Sequence, residues 1–281
     1  MKIREGKGFS QRKVSIDILH QSNCSKFEQN KVDISYKKFV QLLERVHIEL
    51  EEFEFISNNY SYPPKKWITL NFFAMKLIDV EKLKKIIRIS DIFLEEHEDE
   101  LILDIRHLAE AFICIQENND FDAAKKLALR VWKRLKEYDT WHLNELQLIN
   151  CLLYLFDIET ATFITKFALK QLQKYSQHPL YQKIKIPFNY NLTLLFIQEN
   201  KLQEANLLNE KLITEFKELA AYNLMTCCYA RKHFLSNQLN QPIEINYLQK
   251  AYSICDALDN DVLKQKIINE MEYFSTLDFK K

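Results

Sequence analysis

Glycine is almost missing from this 281-residue chain: Gly6 and Gly8 are the only two, both near its beginning. Phosphate-cradling loops of the Walker kind and dinucleotide fingerprints need glycines so that the backbone can approach a phosphate. Neither can exist beyond residue 8. A large all-β domain is excluded on related grounds, because tight hairpin turns require residues at positive φ. Proline is scarce too, with Pro63 and Pro64 adjacent and then only Pro179, Pro187 and Pro242. No apolar run reaches the ~18 residues of a membrane span and no secretory signal opens the chain, so the expectation is a soluble, cytoplasmic protein without membrane contact. The composition that is left is that of a stack of helices.

Chemistry-bearing clusters are equally thin. The six cysteines are scattered, mostly within apolar helical runs such as "LINCLLYLF", and read as buried free thiols. Adjacent Cys227 and Cys228 lack zinc spacing, so no metal is expected. "HEDE" at 97–100 has no second histidine four residues after the first, and no nucleophile elbow occurs. Neither an enzyme nor a cofactor is expected.

Charge balances overall, with 39 basic and 39 acidic residues, but not locally. Residues 1–45 carry ten Lys/Arg against five Asp/Glu, so the remainder is acidic by five. A basic N-terminal module on a mildly acidic body is the asymmetry expected when one end meets a polyanion. Residues 9–56 divide into short helical segments. "SQRKVSIDI" can be capped by Ser10 and turns Val14 and Ile18 to one side. "ISYKKFVQLLERV" can be capped by Ser35 and spaces Phe39, Leu42, Leu43 and Val46 along one face, and "ELEEFEFI" adds Leu50 and Phe53.

Between these lies "HQSNCSKFEQNK". At about 100° per residue, Cys24, Phe27 and Glu28 share one face of a helix over 21–29. Ser22, Ser25, Lys26 and Gln29 take the opposite face, with Gln21 and Asn23 at its edges. So narrow an apolar stripe adds little to a core. Amides, hydroxyls and an ammonium are the groups that read base edges and phosphates in a major groove, and a short helix followed at once by such a face is the helix-turn-helix layout.

The stretch "GFSQRKVSIDILHQSNCSKFEQNKVDIS…FVQLLERVHIELEEF" resembles the Cro/cI-type helix-turn-helix of Rgg/MutR-type transcriptional regulators over residues 2–56. "HQSNCSKFE" is also similar to the equivalent segment of the PlcR-type peptide-sensing regulators. The resemblance implies roles. Gln11 would hold a phosphate at the start of the second helix. Gln21, Ser22 and Lys26, with Asn23 beside them, would read bases, and Gln29 and Lys31 would sit near the DNA backbone. Arg4 and Glu28 would tie the first helix to the third through a semi-buried ion pair. One departure stands out: the family's first helix is about twelve residues, whereas only "MKIRE" precedes the Gly6-Lys7-Gly8 turn.

"SNNYSYPPKKW" marks a boundary, because paired prolines stop a helix and stiffen a connection. The expected domains are 1–58, a linker at 59–66, and 67–281. The body repeats itself: "IQEN" stands at 115–118 and again at 197–200, two units of about 41 residues apart. Each copy ends an apolar helix and precedes an alanine-bearing one. "YLFDIETATFITKFALKQL" supplies the same pattern midway, and "YNLMTCCYARKHFL" with "INYLQKAYSICDAL" forms a further unit. Recurrence of this kind predicts a tetratricopeptide-like solenoid. The fold class expected is therefore all-α, an N-terminal helix-turn-helix bundle followed by a repeat domain.

In such a stack the first helix of each pair lines the concave wall. Polar residues there are Arg106, Asn150, Asn189, Asn191, Asn223 and Arg231. An asparagine amide can pair with both N–H and C=O of an extended peptide, and the resemblance implies the same use: capture of a short hydrophobic signalling peptide. The expected function is thus a peptide-controlled, sequence-specific regulator binding double-stranded DNA as a homodimer, with the C-terminal helices as dimer surface by family analogy. The alternative is a tetratricopeptide-like protein–protein scaffold with a degenerate DNA-binding module.

Overall fold

The computed structural model describes residues 1–75, 79–242 and 245–277, and among these every regular element is helical. The chain folds as two compact units, one of residues 1–74 with 89–97, the other of 75–88 with 98–281.

The first unit opens with α1 (Lys2–Gly6), α2 (Gln11–Ser15), α3 (Gln21–Glu28), α4 (Tyr36–Arg45) and α5 (Leu50–Ser57). The starts of α2, α3 and α4 follow from side-chain caps that take up otherwise unpaired amides. The Ser10 hydroxyl accepts from Lys13 N at 3.1 Å and that of Ser35 from Lys38 N at 3.5 Å. At α3 the cap is the His20 ring, whose Nδ1 accepts from Ser22 N. Val14, Cys24, Leu42, Leu43, Val46 and Ile48 form the core, with Phe27, Phe39 and Phe53 packed edge-on against one another at its margin. Helix α1 is five residues long and buries none of them. Beside it a cavity of about 90 Å³ opens among Ile3, Val14, Cys24, Phe27, Phe39 and Leu42.

The next helix, α6 (Pro64–Phe73), starts inside the expected linker and within the first unit. Pro64 occupies its first turn, where a missing N–H costs nothing, and Lys66 reaches back to Glu51 on α5 at 3.0 Å. The paired prolines begin a helix here rather than stretch a spacer, and the first unit runs without a break to Ala74 and includes 89–97. Helix α7 (Val80–Glu96) contributes residues to both units.

The second unit pairs α8 (Glu100–Asn118) with α9 (Phe121–Leu135), α10 (Leu143–Asn150) with α11 (Ile158–Leu172), α12 (Tyr181–Gln198) with α13 (Leu202–Glu218), and α14 (Tyr222–Gln238) with α15 (Tyr247–Ala257). A last helix, α16 (Asp261–Thr276), packs on α14 and α15. Alanines on the second helices, including Ala124, Ala128, Ala161, Ala168, Ala205 and Ala251, are buried and let neighbouring backbones approach closely. This is a tetratricopeptide-like arrangement.

Glycine's scarcity is met by other residues. Left-handed backbone closes the helix ends at Asp17, Asn30, Asn59, Asn119, Asn200, Asn240 and Asp259, and also at His47, Tyr60 and Ala220. Asparagine and aspartate tolerate that region better than other L-residues. Asn119 and Asn200 each stand five residues before a buried alanine, Ala124 and Ala205, which makes the repeat visible at its joints.

Candidate functional site

On α3 the structure separates two faces. Cys24 is 1% exposed and Phe27 and Glu28 are half-buried, whereas Gln21, Ser22, Asn23 and Lys26 are all exposed. The side chains of Gln21, Asn23 and Lys26 have no protein partner among the described residues. Ser22 shares a 2.8 Å bond with the capping His20 ring. Gln29 and Lys31 are exposed beyond the helix end; the Gln29 amide donates to Ser25 Oγ at 3.4 Å and the Lys31 ammonium is unpartnered among the described residues.

Beneath this face lies an ionic knot. Arg4 grips Glu28 with Nε at 2.7 Å and Nη2 at 2.8 Å, and its Nη1 donates to the Phe9 carbonyl at 2.6 Å. The guanidinium thereby joins α1, the turn before α2, and α3. This contact holds the Glu28 carboxyl down at about 2, against the opposing effect of burial, with the Gln11 amide helping. Gln11 Nε2 donates to Glu28 Oε2 at 2.8 Å, so part of this amide is committed inside the protein. Lys7 adds a second tie, its ammonium bonding the Val46 carbonyl at 2.6 Å where α4 ends.

The first helices of the repeat unit carry a lateral series of polar contacts. Asn191 on α12 donates to Asn150 Oδ1 on α10 at 3.2 Å, 41 residues away. Arg231 on α14 donates to the Tyr190 carbonyl at 2.8 Å across the same interval, and its guanidinium lies 4.0 Å from the Tyr190 ring centre. Arg231 is 1% exposed and is bound by Glu270 of α16 at 2.6 Å. Its side chain thus belongs to the interior, a packing role where a ligand contact was expected. Arg106 pairs with Glu110 at 3.0 Å along α8. Asn189 is 7% exposed, yet its amide has no protein partner among the described residues. Asn223 is exposed at the start of α14. These residues line successive first helices, and among them Asn150 and Asn191 are brought into mutual contact.

The family model for the C-terminal domain of the HTH-type transcriptional regulator Rgg matches residues 97–269, well over half of the chain. The chain belongs to the Rgg transcriptional regulators. No curated protein matches it. Its fold is similar to that of Rgg2, the SHP pheromone receptor of Streptococcus dysgalactiae, at 16% identity over 97% of both chains and a TM-score of 0.70. It is similar also to PlcR of Bacillus thuringiensis, solved with the peptide PapR7 and DNA, at 18% identity, 95% and 96% coverage and a TM-score of 0.71. ComR from S. thermophilus, solved with DNA and its signalling peptide ComS, matches at 13% identity, 98% and 97% coverage and a TM-score of 0.60.

Two features of this Rgg chain lay outside the sequence reading. Glu270, which neutralises Arg231, lies 39 residues further on, close to one repeat unit. A basic residue on a first helix with an acid one unit later is the signal that would have found it. The bond from Gln11 to Glu28 joins residues on two helices whose docking no periodicity specifies. Among the described residues no group of three or more His, Cys, Asp or Glu could hold a metal, and no helix is long and apolar enough to cross a membrane. Burial pushes the six free thiols upward, Cys151 to about 12, which makes them poor nucleophiles.

Proposed function

We propose that this Rgg chain binds double-stranded DNA through α3 and is controlled in the cytoplasm by a short hydrophobic peptide received on the first helices of its repeat unit. One observation carries the reading. A complete ionic knot and apolar core hold α3 while Gln21, Asn23 and Lys26 are left exposed and without protein partners. Side-chain amides and an ammonium held outward on a rigid helix suit base edges and phosphates. Gln11 and Lys31 would meet the DNA backbone, with Ser22 and Gln29 at the edges of the contact. PlcR and ComR, solved with DNA and a peptide, support the same two partner classes here.

Two recognition helices are needed for half-sites one turn apart, so the chain would act as a homodimer. On the repeat unit, Asn189 and Asn223, whose amides are unpartnered, are the leading peptide contacts. Asn150 and Asn191 satisfy each other and would have to open to a ligand, and Arg106 could add its charge at the end of the series. Arg231 supports the wall from behind. The peptide must bind two arrangements of the dimer with different affinity, since equal affinity shifts nothing.

The test is fluorescence anisotropy on a duplex enriched by the chain from a randomised pool. Lys26→Ala should weaken binding and lower the slope of log K against log salt by about one. An unchanged slope and affinity would remove α3 from the interface. A second reading, a protein–protein scaffold with an inactive first module, draws on the five-residue α1 and the cavity beside it. That reading expects no salt-dependent DNA retention at all.

A further inference from the structure

The Glu28 carboxylate does more than close the pair with Arg4. Its Oε1 takes the Arg4 Nε at 2.7 Å, and its Oε2 accepts from two donors, Arg4 Nη2 and Gln11 Nε2, each at 2.8 Å. An ionised carboxylate can only accept, so it settles which end of the Gln11 amide faces inward: the nitrogen must. Glu28 stays ionised because the guanidinium sits against it, and its side chain is 8% exposed, away from competing water. A primary amide has two N–H groups. One is engaged by Glu28, and one is left on a half-buried residue at the start of α2.

From this geometry we infer that Glu28 is a positioning residue for DNA binding, fixing the Gln11 amide so that its second N–H is presented to a backbone phosphate. The inference rests on the DNA-binding reading above and deepens it. A glutamine side chain free in water loses rotamer freedom when it takes up a phosphate. Here that freedom is already lost in the folded protein, so the contact forms without a further ordering step.

A double-mutant cycle on the full-length chain tests this, with anisotropy on the enriched duplex and on a random duplex as the readout. Gln11→Met keeps the stem and removes the amide. It should weaken both duplexes by about fivefold, because a phosphate contact carries no sequence information. Glu28→Gln should do the same, and the double variant should be no weaker than either single one. Arg4→Met separates positioning from folding: it breaks the ion pair but leaves Glu28 bonded to Gln11, so it should bind DNA more tightly than Glu28→Gln. Independent losses that multiply in the double variant would overturn the positioning role. So would an Arg4→Met variant as weak as Glu28→Gln, because the effect would then run through the bundle as a whole. A wild-type chain that shows no salt-dependent binding would instead sink the DNA reading itself, together with this inference.

Discussion

Glu28 shows how one side chain can hold a fold and leave a measurable trace in its pH dependence. Its carboxyl titrates at about 2 in the folded protein against an ordinary 4.5. A depressed folded value means that the stabilisation is fully present above the ordinary value and is lost as pH falls toward the folded one. Urea unfolding of the wild type and of Glu28→Gln should therefore differ by about 2 kcal/mol at neutral pH, less than the whole shift implies because the substituted amide keeps an oxygen that accepts hydrogen bonds. The gap should close progressively below pH of about 4.5. A gap that stayed constant down to pH 3 would show that packing rather than charge is what the substitution removes. The exposure of Lys26 was legible in the spacing of "QSNCSKFE", because a helix face is fixed by local periodicity, whereas the Arg4–Glu28 pair was implied by the family resemblance alone. The engagement of Gln11 was not, since it depends on how two short helices dock.

At the scale of elements, the caps and stripes of the first unit followed the pattern of Ser10, Ser35 and the Phe39–Val46 face. Alanines marked the second helix of each pair. The position of α6 did not follow: "YPPKKW" reads as a stiff linker, but proline suits the first turn of a helix as well as a break, and here α6 buries Ile68 and Phe72. The burial of Arg231 was not legible for a similar reason. A basic residue amid "TCCYARKH" looks like a ligand contact until its partner is known, and that partner is on another helix. The clamp from Arg231 to Glu270 joins α14 to α16, with the Tyr190 ring stacked beneath the guanidinium. Breaking it from one side leaves a charge inside. Arg231→Met is expected to lower stability by about 3 kcal/mol, and replacing Glu270 with leucine in the same chain should restore much of the loss. Thermal or urea melts of the two variants check this, and a double variant no more stable than the single one would mean that the pair contributes nothing beyond its volume.

For the whole molecule, the two units divide the proposed labour: DNA on the first, the peptide on the second. The repeat unit's polar contacts recur near 41 residues because each helix pair sits on the one before it in the same way. A saturating peptide should therefore stabilise the stack as a body. At a hundred times its dissociation constant the expected gain is about 2.7 kcal/mol, read as an upward shift in the melt of the full chain. Replacing Asn189 or Asn223 with alanine should reduce that shift without lowering the melt of the unliganded protein. If short hydrophobic peptides encoded near the gene leave the melt unmoved, the sensing role falls while the fold assignment stands.

The burial of Arg231 has a consequence for anyone who shortens this protein. Removing the tail from Asp261 onward would delete more than a candidate docking surface: it would take Glu270 from Arg231 and uncover the faces of α14 and α15 on which α16 packs. A truncated product that aggregates, or that ceases to respond to an effector, would be reporting that uncovered interior, and partner exchange is better dissected by point changes on the outward side of α16.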